Sequence, residues 1–223
     1  MSLIEYPSRA AMFSALADIL ADELRAALET GPATLVVPGG TTPGPVFDQL
    51  SQADLDWSQV RVMLSDERWV PESSDRSNTR LLRERLLVGN AAAAQLVPFY
   101  APADQPEDQL ATLSGPIEAA LPITSLLLGM GEDMHTASLF PGADLLEQAL
   151  ADDAPVLLPM RAPGAPEPRL TLTAPVLRAA RNTHIVLTGA GKRTAVEAAR
   201  HLDDPQAAPV CIVLKDATIH WAD

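Results

Sequence analysis

Cysteine is almost missing from this sequence: Cys211 stands alone in 223 residues. That excludes an intrachain disulfide and a Cys-rich zinc site, and it fits a reducing cytosol. Long apolar runs are missing too, none approaching the roughly 18 residues of a membrane helix. The opening MSLIEYPSRAAMF has no basic stretch followed by an apolar one, so no secretory leader is expected. Positive charge is scarce, with 16 Lys+Arg against 29 Asp+Glu and a formal net charge of −13. Nucleic acid and anionic membranes need clustered cations, so neither is an expected partner. These absences together predict a cytoplasmic protein. At this length it can bury a core without disulfides or a structural metal. Its oligomeric state is not written in the composition.

The scarcity of cations is also uneven. Between Arg85 and Arg161 there is no Lys or Arg, while ten acids fall in that stretch. Only Lys192 and Lys215 are lysines. A bound anion would therefore draw its cations from before residue 86 or after residue 160.

What is present alternates between strand and helix patterns. Ser8 can cap a helix from about residue 9, with Phe13, Leu16, Leu20, Leu24 and Ala27 as its apolar stripe, ending at Gly31-Pro32. Strands are expected at 33–37, 60–64, 95–99, 123–129, 156–160, 169–173, 184–188 and 210–214. Helices are expected after Pro43, after an Asn78 cap, near 106–121, over TAPVLRAARN and over KRTAVEAARHL. There is no internal repeat and no domain linker, so a single domain over 1–223 is expected. The alternation predicts an α/β fold with a mostly parallel sheet flanked by helices. Such sheets bind ligands beyond the carboxyl ends of their strands. Four polar or Gly-rich clusters follow strands here: PGGTTPG, SDER, GMGEDMH and GAGKR. They should converge on one sheet edge.

Pro38-Gly39-Gly40-Thr41-Thr42-Pro43 is either an ordinary tight turn or a phosphate cradle. It lacks the GxxxxGK[ST] and GxGxxG spacings, so neither an NTP nor a dinucleotide is indicated. Asp66-Glu67-Arg68 is either a solvated loop or a partly buried one, given the Trp69-Val70-Pro71 that follows. In the second case Arg68 needs an anion: Asp66, Glu67 or a substrate phosphate. His135 follows a buried strand and a double-Gly turn, beside Asp133, and imidazole is the natural general base near neutral pH. His184, His201 and His220 have poorer settings, and no His/Glu spacing resembles a metal site. Arg169 and Lys192 lie beyond the acid-rich gap and suit a phosphate. A G-x-S-x-G nucleophile elbow is absent, which favours direct attack by water over a serine ester.

Taken together, these clusters resemble the 6-phosphogluconolactonase family. GMGEDMHTASLFPG (129–142) is similar to that family's G-x-G-x-D-G-H-T-A-S-L-F-P-G, and PGGTTP, SDERWV, Ser77-Asn78, RLTLT and GAGK follow in the same order. The resemblance implies a modified Rossmann-like fold shared with sugar-phosphate isomerases. It implies hydrolysis of 6-phospho-D-glucono-1,5-lactone in the oxidative pentose phosphate pathway, without cofactor or metal. It marks His135, with Asp133, as the base that activates water. Gly39, Gly40 and Thr41 look like the phosphate-side loop, and Asp66, Arg68, Arg169 and Lys192 like further substrate ligands. One position departs: Met134 stands where the family has Gly. Met there is strained if φ is positive, or narrows the pocket if only space matters. Glucosamine-6-phosphate deaminases share the Gly-Gly loop but continue past their His with I-A-F-N-E-P, whereas this chain has Thr136-Ala137-Ser138-Leu139-Phe140-Pro141. Regulators that reuse the fold as sugar-phosphate sensors carry an extra DNA-binding segment, and no basic or surplus segment occurs here.

Overall fold

Five consecutive apolar or β-branched residues, ATLVV, have too few polar groups to face water on either side. They form the strand around which the sheet is built. In the computed structural model, which describes residues 2–223, this is β2 (Ala33–Val37), buried at every position. The remaining strands are β1 (Ser2–Glu5), β3 (Val60–Leu64), β4 (Asp66–Arg68), β5 (Gln95–Leu96), β6 (Ser125–Leu128), β7 (Leu157–Met160), β8 (Arg169–Leu172), β9 (Asn182–Thr188) and β10 (Thr218–Ala222). The helices are α1 (Arg9–Leu28), α2 (Gly44–Leu50), α3 (Asn78–Arg85), α4 (Leu110–Ala120), α5 (Leu146–Leu150), α6 (Ala174–Arg178), α7 (Ala190–Leu202) and α8 (Cys211–Leu214).

Seven strands make one parallel sheet in the order β1-β10-β9-β6-β2-β3-β5. Chain order runs outward from β2 through β3 to β5, then returns to β6 and runs outward the other way. The crevice between β2 and β6 is thus the point where the winding reverses, and ligands of such sheets bind there. A second, three-stranded antiparallel sheet, β4-β8-β7, stands beside it. Ser65 joins the two. Its N–H donates to Val37 O at 2.9 Å, continuing the parallel ladder, and its carbonyl accepts from Leu172 N at 2.9 Å. SDER is therefore no solvated loop: it leaves the first sheet and pairs in the second.

Helix α1 starts as its sequence requires, with the Ser8 hydroxyl accepting from Ala11 N. Its buried stripe is Met12, Leu16, Leu20 and Leu24, one residue off the expected start at Phe13, which is only partly buried. It packs across β2, β6 and β10. Three expectations need correction. Ser77, not Asn78, caps α3, accepting from Arg80 N at 3.2 Å. The expected strand at 95–99 is only Gln95–Leu96. VCIVL (210–214) is not a strand but contains the one-turn helix α8, and the last strand is Thr218–Ala222. A short apolar run carries no period of its own, so tertiary context decides it.

One polar chain crosses the buried interior beneath α1. Tyr6 OH lies 2.8 Å from His220 Nδ1, and His220 Nε2 lies 3.0 Å from His184 Nδ1. His184 Nε2 lies 3.0 Å from Glu23 Oε1, and Ser125 Oγ donates to Glu23 Oε2 at 2.7 Å. One set of tautomers satisfies every link with both rings neutral. Glu23 accepts from His184 Nε2–H, His184 Nδ1 from His220 Nε2–H, and His220 Nδ1 from the Tyr6 hydroxyl. Burial, and then the neighbouring His184, lower the His220 pKa to about 4.

Candidate active site

At the carboxyl ends of β2, β3, β6 and β9 lies a cavity of about 360 Å³, ample for a sugar phosphate. Its floor is Pro38 to Pro43 on one side and Gly129 to Gly131 on the other, with Lys192 from the first turn of α7. All four strand-end clusters therefore meet at one place. The two glycines of the first loop serve different ends. Gly40 sits at φ +86, which only glycine adopts freely. A Cβ on Gly39 would lie 2.0 Å from Asn78 Oδ1, so that glycine lets Asn78 reach the cavity. Thr41 and Thr42 line the same rim.

His135 is shaped by the turn that precedes it. Gly131 N donates to His135 O at 3.0 Å, and Met134 N donates to Gly131 O at 3.0 Å, closing the turn. His135 Nδ1 then lies 2.5 Å from Asp133 Oδ1. A Cβ on Gly131 would sit 2.2 Å from that oxygen and 2.3 Å from Nδ1, so the pair folds back over a glycine. With Asp133 holding Nδ1, the imidazole presents Nε2 as its free acceptor, the arrangement of a general base. Asp133 itself stands behind the ring and does not line the cavity.

The cations arrive by pairing across the small sheet. Arg68 on β4 and Arg169 on β8 are register partners, two like charges directly opposite. Such a pair destabilises a sheet. Each guanidinium also has a buried Nε with no hydrogen-bond partner. Burial, opposed by Asp66, pulls the Arg169 pKa below its usual value, with Arg68 adding to the fall. Arg68 does not pair with either adjacent acid: its Nη1 donates to Arg76 O at 3.0 Å. Asp66 turns instead toward Arg169, 3.7 Å away, and accepts from Ser138 Oγ at 2.6 Å and Ser65 Oγ at 2.9 Å.

Glu67, fully buried, accepts from Arg68 N, Asn78 N, Thr79 N, Thr79 Oγ1 and Ser77 Oγ at 2.7–3.2 Å. It ties β4 to the N-terminus of α3, where the helix dipole favours a carboxylate. Burial pushes its carboxyl up from the ordinary value, and donors from Asn78, Thr79 and Arg68 pull it back.

Residues 7–221 match the family model for glucosamine-6-phosphate isomerases/6-phosphogluconolactonase. The chain belongs to this family. A 6-phosphogluconolactonase of Rhizobium meliloti (strain 1021) is 42% identical over 229 residues, covering 100% of this chain and 98% of the relative. One from Pseudomonas aeruginosa is 43% identical over 210 residues, covering 92% and 88%. A solved 6-phosphogluconolactonase structure from Shewanella baltica OS155 is 32% identical with a TM-score of 0.96, covering 100% of this chain and 98% of that one. The glucosamine-6-phosphate isomerase/6-phosphogluconolactonase fold, a mostly parallel Rossmann-like sheet flanked by helices, is thus the fold of this chain.

Against that family's motif, Met134 takes the φ of a glycine, at +65. It does not line the cavity and packs half-buried against the core, so strain rather than pocket size is the consequence of the exchange. The structure brings His135, Gly39, Gly40, Thr41, Asp66, Arg68, Arg169 and Lys192 around one cavity, with Asp133 one contact away. Asn78 and Phe140 also line it, and residue-by-residue reading passed over both. Asn78 reads as a helix cap, and Phe140 has no reading of its own outside its motif. Only their places in SDERWV…SN and in HTASLFPG could have signalled them.

Proposed function

We propose that this chain hydrolyses 6-phospho-D-glucono-1,5-lactone to 6-phospho-D-gluconate. The observation that carries the proposal is one cavity holding both a carboxylate-oriented imidazole and two opposed guanidiniums with unpartnered buried nitrogens. The first suits activation of water, and the second is an electrostatic arrangement that an incoming phosphate relieves. The names of the full-length relatives supply the substrate class.

A δ-lactone is an activated ester, so the protein needs to bind it, orient a water and stabilise developing charge. His135 Nε2 takes a proton from water as its oxygen bonds to the lactone carbonyl carbon. Asp133 fixes the tautomer and supports the imidazolium. The tetrahedral intermediate collapses by breaking the bond to the ring oxygen, which receives the proton from His135 and becomes the C5 hydroxyl. The product acid then ionises. Arg68, Arg169 and Lys192 offset the anionic substrate. No redox step and no covalent enzyme intermediate occur in this sequence.

The test is to offer the purified protein the phosphorylated lactone and glucosamine 6-phosphate side by side. Acid release above the spontaneous rate from the first, with no ammonia from the second, supports the proposal. Ammonia release, or binding of both without turnover, contradicts it.

A further inference from the structure

The general base and one of the cations share a wall. The Phe140 ring centroid is 4.1 Å from that of His135, with 33° between the planes. The Arg169 guanidinium carbon lies over the same ring, 5.1 Å from its centroid. Each of the two polar groups has one other fixed point. For His135 it is Asp133 on Nδ1, and for Arg169 it is Asp66 at 3.7 Å. A hydrogen bond at one nitrogen leaves an imidazole free to tilt about that bond, and a 3.7 Å ion pair leaves a guanidinium free to slide. The shared ring removes both freedoms. Phe140 is itself placed firmly, since Leu139 N donates to Thr136 O at 3.0 Å and Ser138 bonds to both Asp66 and Thr171.

We infer that Phe140 is a positioning residue: it sets the separation of His135 from Arg169 and so couples anion recognition to alignment of the base. The inference rests on His135 being that base. One consequence follows from the ring's shape. Its bulk holds Nε2 in register with the bound lactone, and misplacement of a catalytic group by about 1 Å can lower the rate up to about 100-fold.

Phe140→Met keeps most of the volume without the ring, and Phe140→Leu serves as a second variant. Expected for either folded variant is a kcat loss of roughly 10- to 100-fold. With it, KM for the phosphorylated lactone should rise several-fold, as the Arg169 guanidinium loses the ring it lies over. Phe140→Tyr should recover most of the loss. In a double-mutant comparison, the losses from Phe140→Met and Arg169→Met should be less than multiplicative on kcat/KM. A ring that serves only to fill space would lower Tm but leave kcat and KM of the folded protein in place. A folded Phe140→Met or Phe140→Leu protein with wild-type kcat and KM would overturn the inference. Alongside, His135→Ala separates this from the base assignment. Turnover surviving in His135→Ala sinks the base itself, whereas a dead His135→Ala beside a normal Phe140→Met sinks only the positioning role.

Discussion

Arg68 and Arg169 face each other across β4 and β8, which no stability argument favours. Like charges directly opposite each other oppose pairing by roughly 0.2–1 kcal/mol, and here each side chain also carries an unsatisfied buried nitrogen. Arg68→Met should therefore leave Tm unchanged or raise it, while kcat/KM on the phosphorylated lactone falls. The loss should be about 10-fold or more, since a charge-assisted hydrogen bond contributes about 1.5–3 kcal/mol. Hydrolysis of unphosphorylated gluconolactone should hardly change. Equal losses on both lactones would show that Arg68 does not read phosphate. Met134 poses the opposite problem, a conformational strain with no charge involved. A non-glycine residue at φ +65 is disfavoured by about 1–2 kcal/mol. Met134→Gly removes the strain along with a half-buried side chain. Met134→Ala removes the side chain and keeps the strain. Chemical denaturation should find the Gly variant more stable than the Ala variant by about 1 kcal/mol, and an Ala variant equal or superior to Gly would contradict the strain. The motif 129–142 makes the exchange visible in the sequence, but the choice between strain and pocket narrowing needed the backbone.

Among the elements, β10 and β1 left almost no local trace, and the reason lies in the polar chain. TIHWA mixes Thr218, His220 and Trp221 among apolar residues, so its pattern does not read as a buried strand. It becomes one because His220 is satisfied by Tyr6 and His184. β1 then forms by pairing with β10 alone. By contrast β2 and β3 are buried runs bounded by Pro-Gly or polar clusters, and their limits were readable residue for residue. The polar chain also has a pH signature. His220 titrates at about 4 in the fold against about 6.5 when unfolded. Its folded pKa is lowered, so the unfolded chain binds the extra proton in that window and stability falls as pH drops from about 6.5 toward 4. Between pH 7 and pH 5 the loss from this group is about 2 kcal/mol. His220→Gln should flatten that part of the stability–pH curve, whatever its effect at pH 7. An unchanged slope between pH 7 and pH 5 in the variant would contradict the assignment.

At the scale of the whole molecule, a chain of net charge −13 gathers Arg68, Arg169 and Lys192 around one cavity. All three come from outside the acid-rich stretch, so the flanks supply the cations and the middle supplies His135 and Asp133. The sequence announced the parallel sheet and its ligand edge, because each polar cluster directly follows a buried strand. It did not announce the second sheet, since antiparallel pairing of β4 with β8 joins residues about a hundred positions apart, with no turn to mark it. Among the described residues, no group of three or more His, Cys, Asp or Glu side chains is placed to hold a metal ion. Lactone hydrolysis should accordingly survive EDTA, and activity lost on chelation and restored by a divalent ion would reveal a site not accounted for. The claim that joins these scales is that His135, held by Asp133, activates water for attack on the lactone. Its most direct test is steady-state hydrolysis of 6-phosphogluconolactone by His135→Ala, with folding checked by circular dichroism. The account predicts kcat lowered by about 10²–10⁴-fold with KM little changed; a folded His135→Ala protein turning over at near the wild-type rate would contradict it.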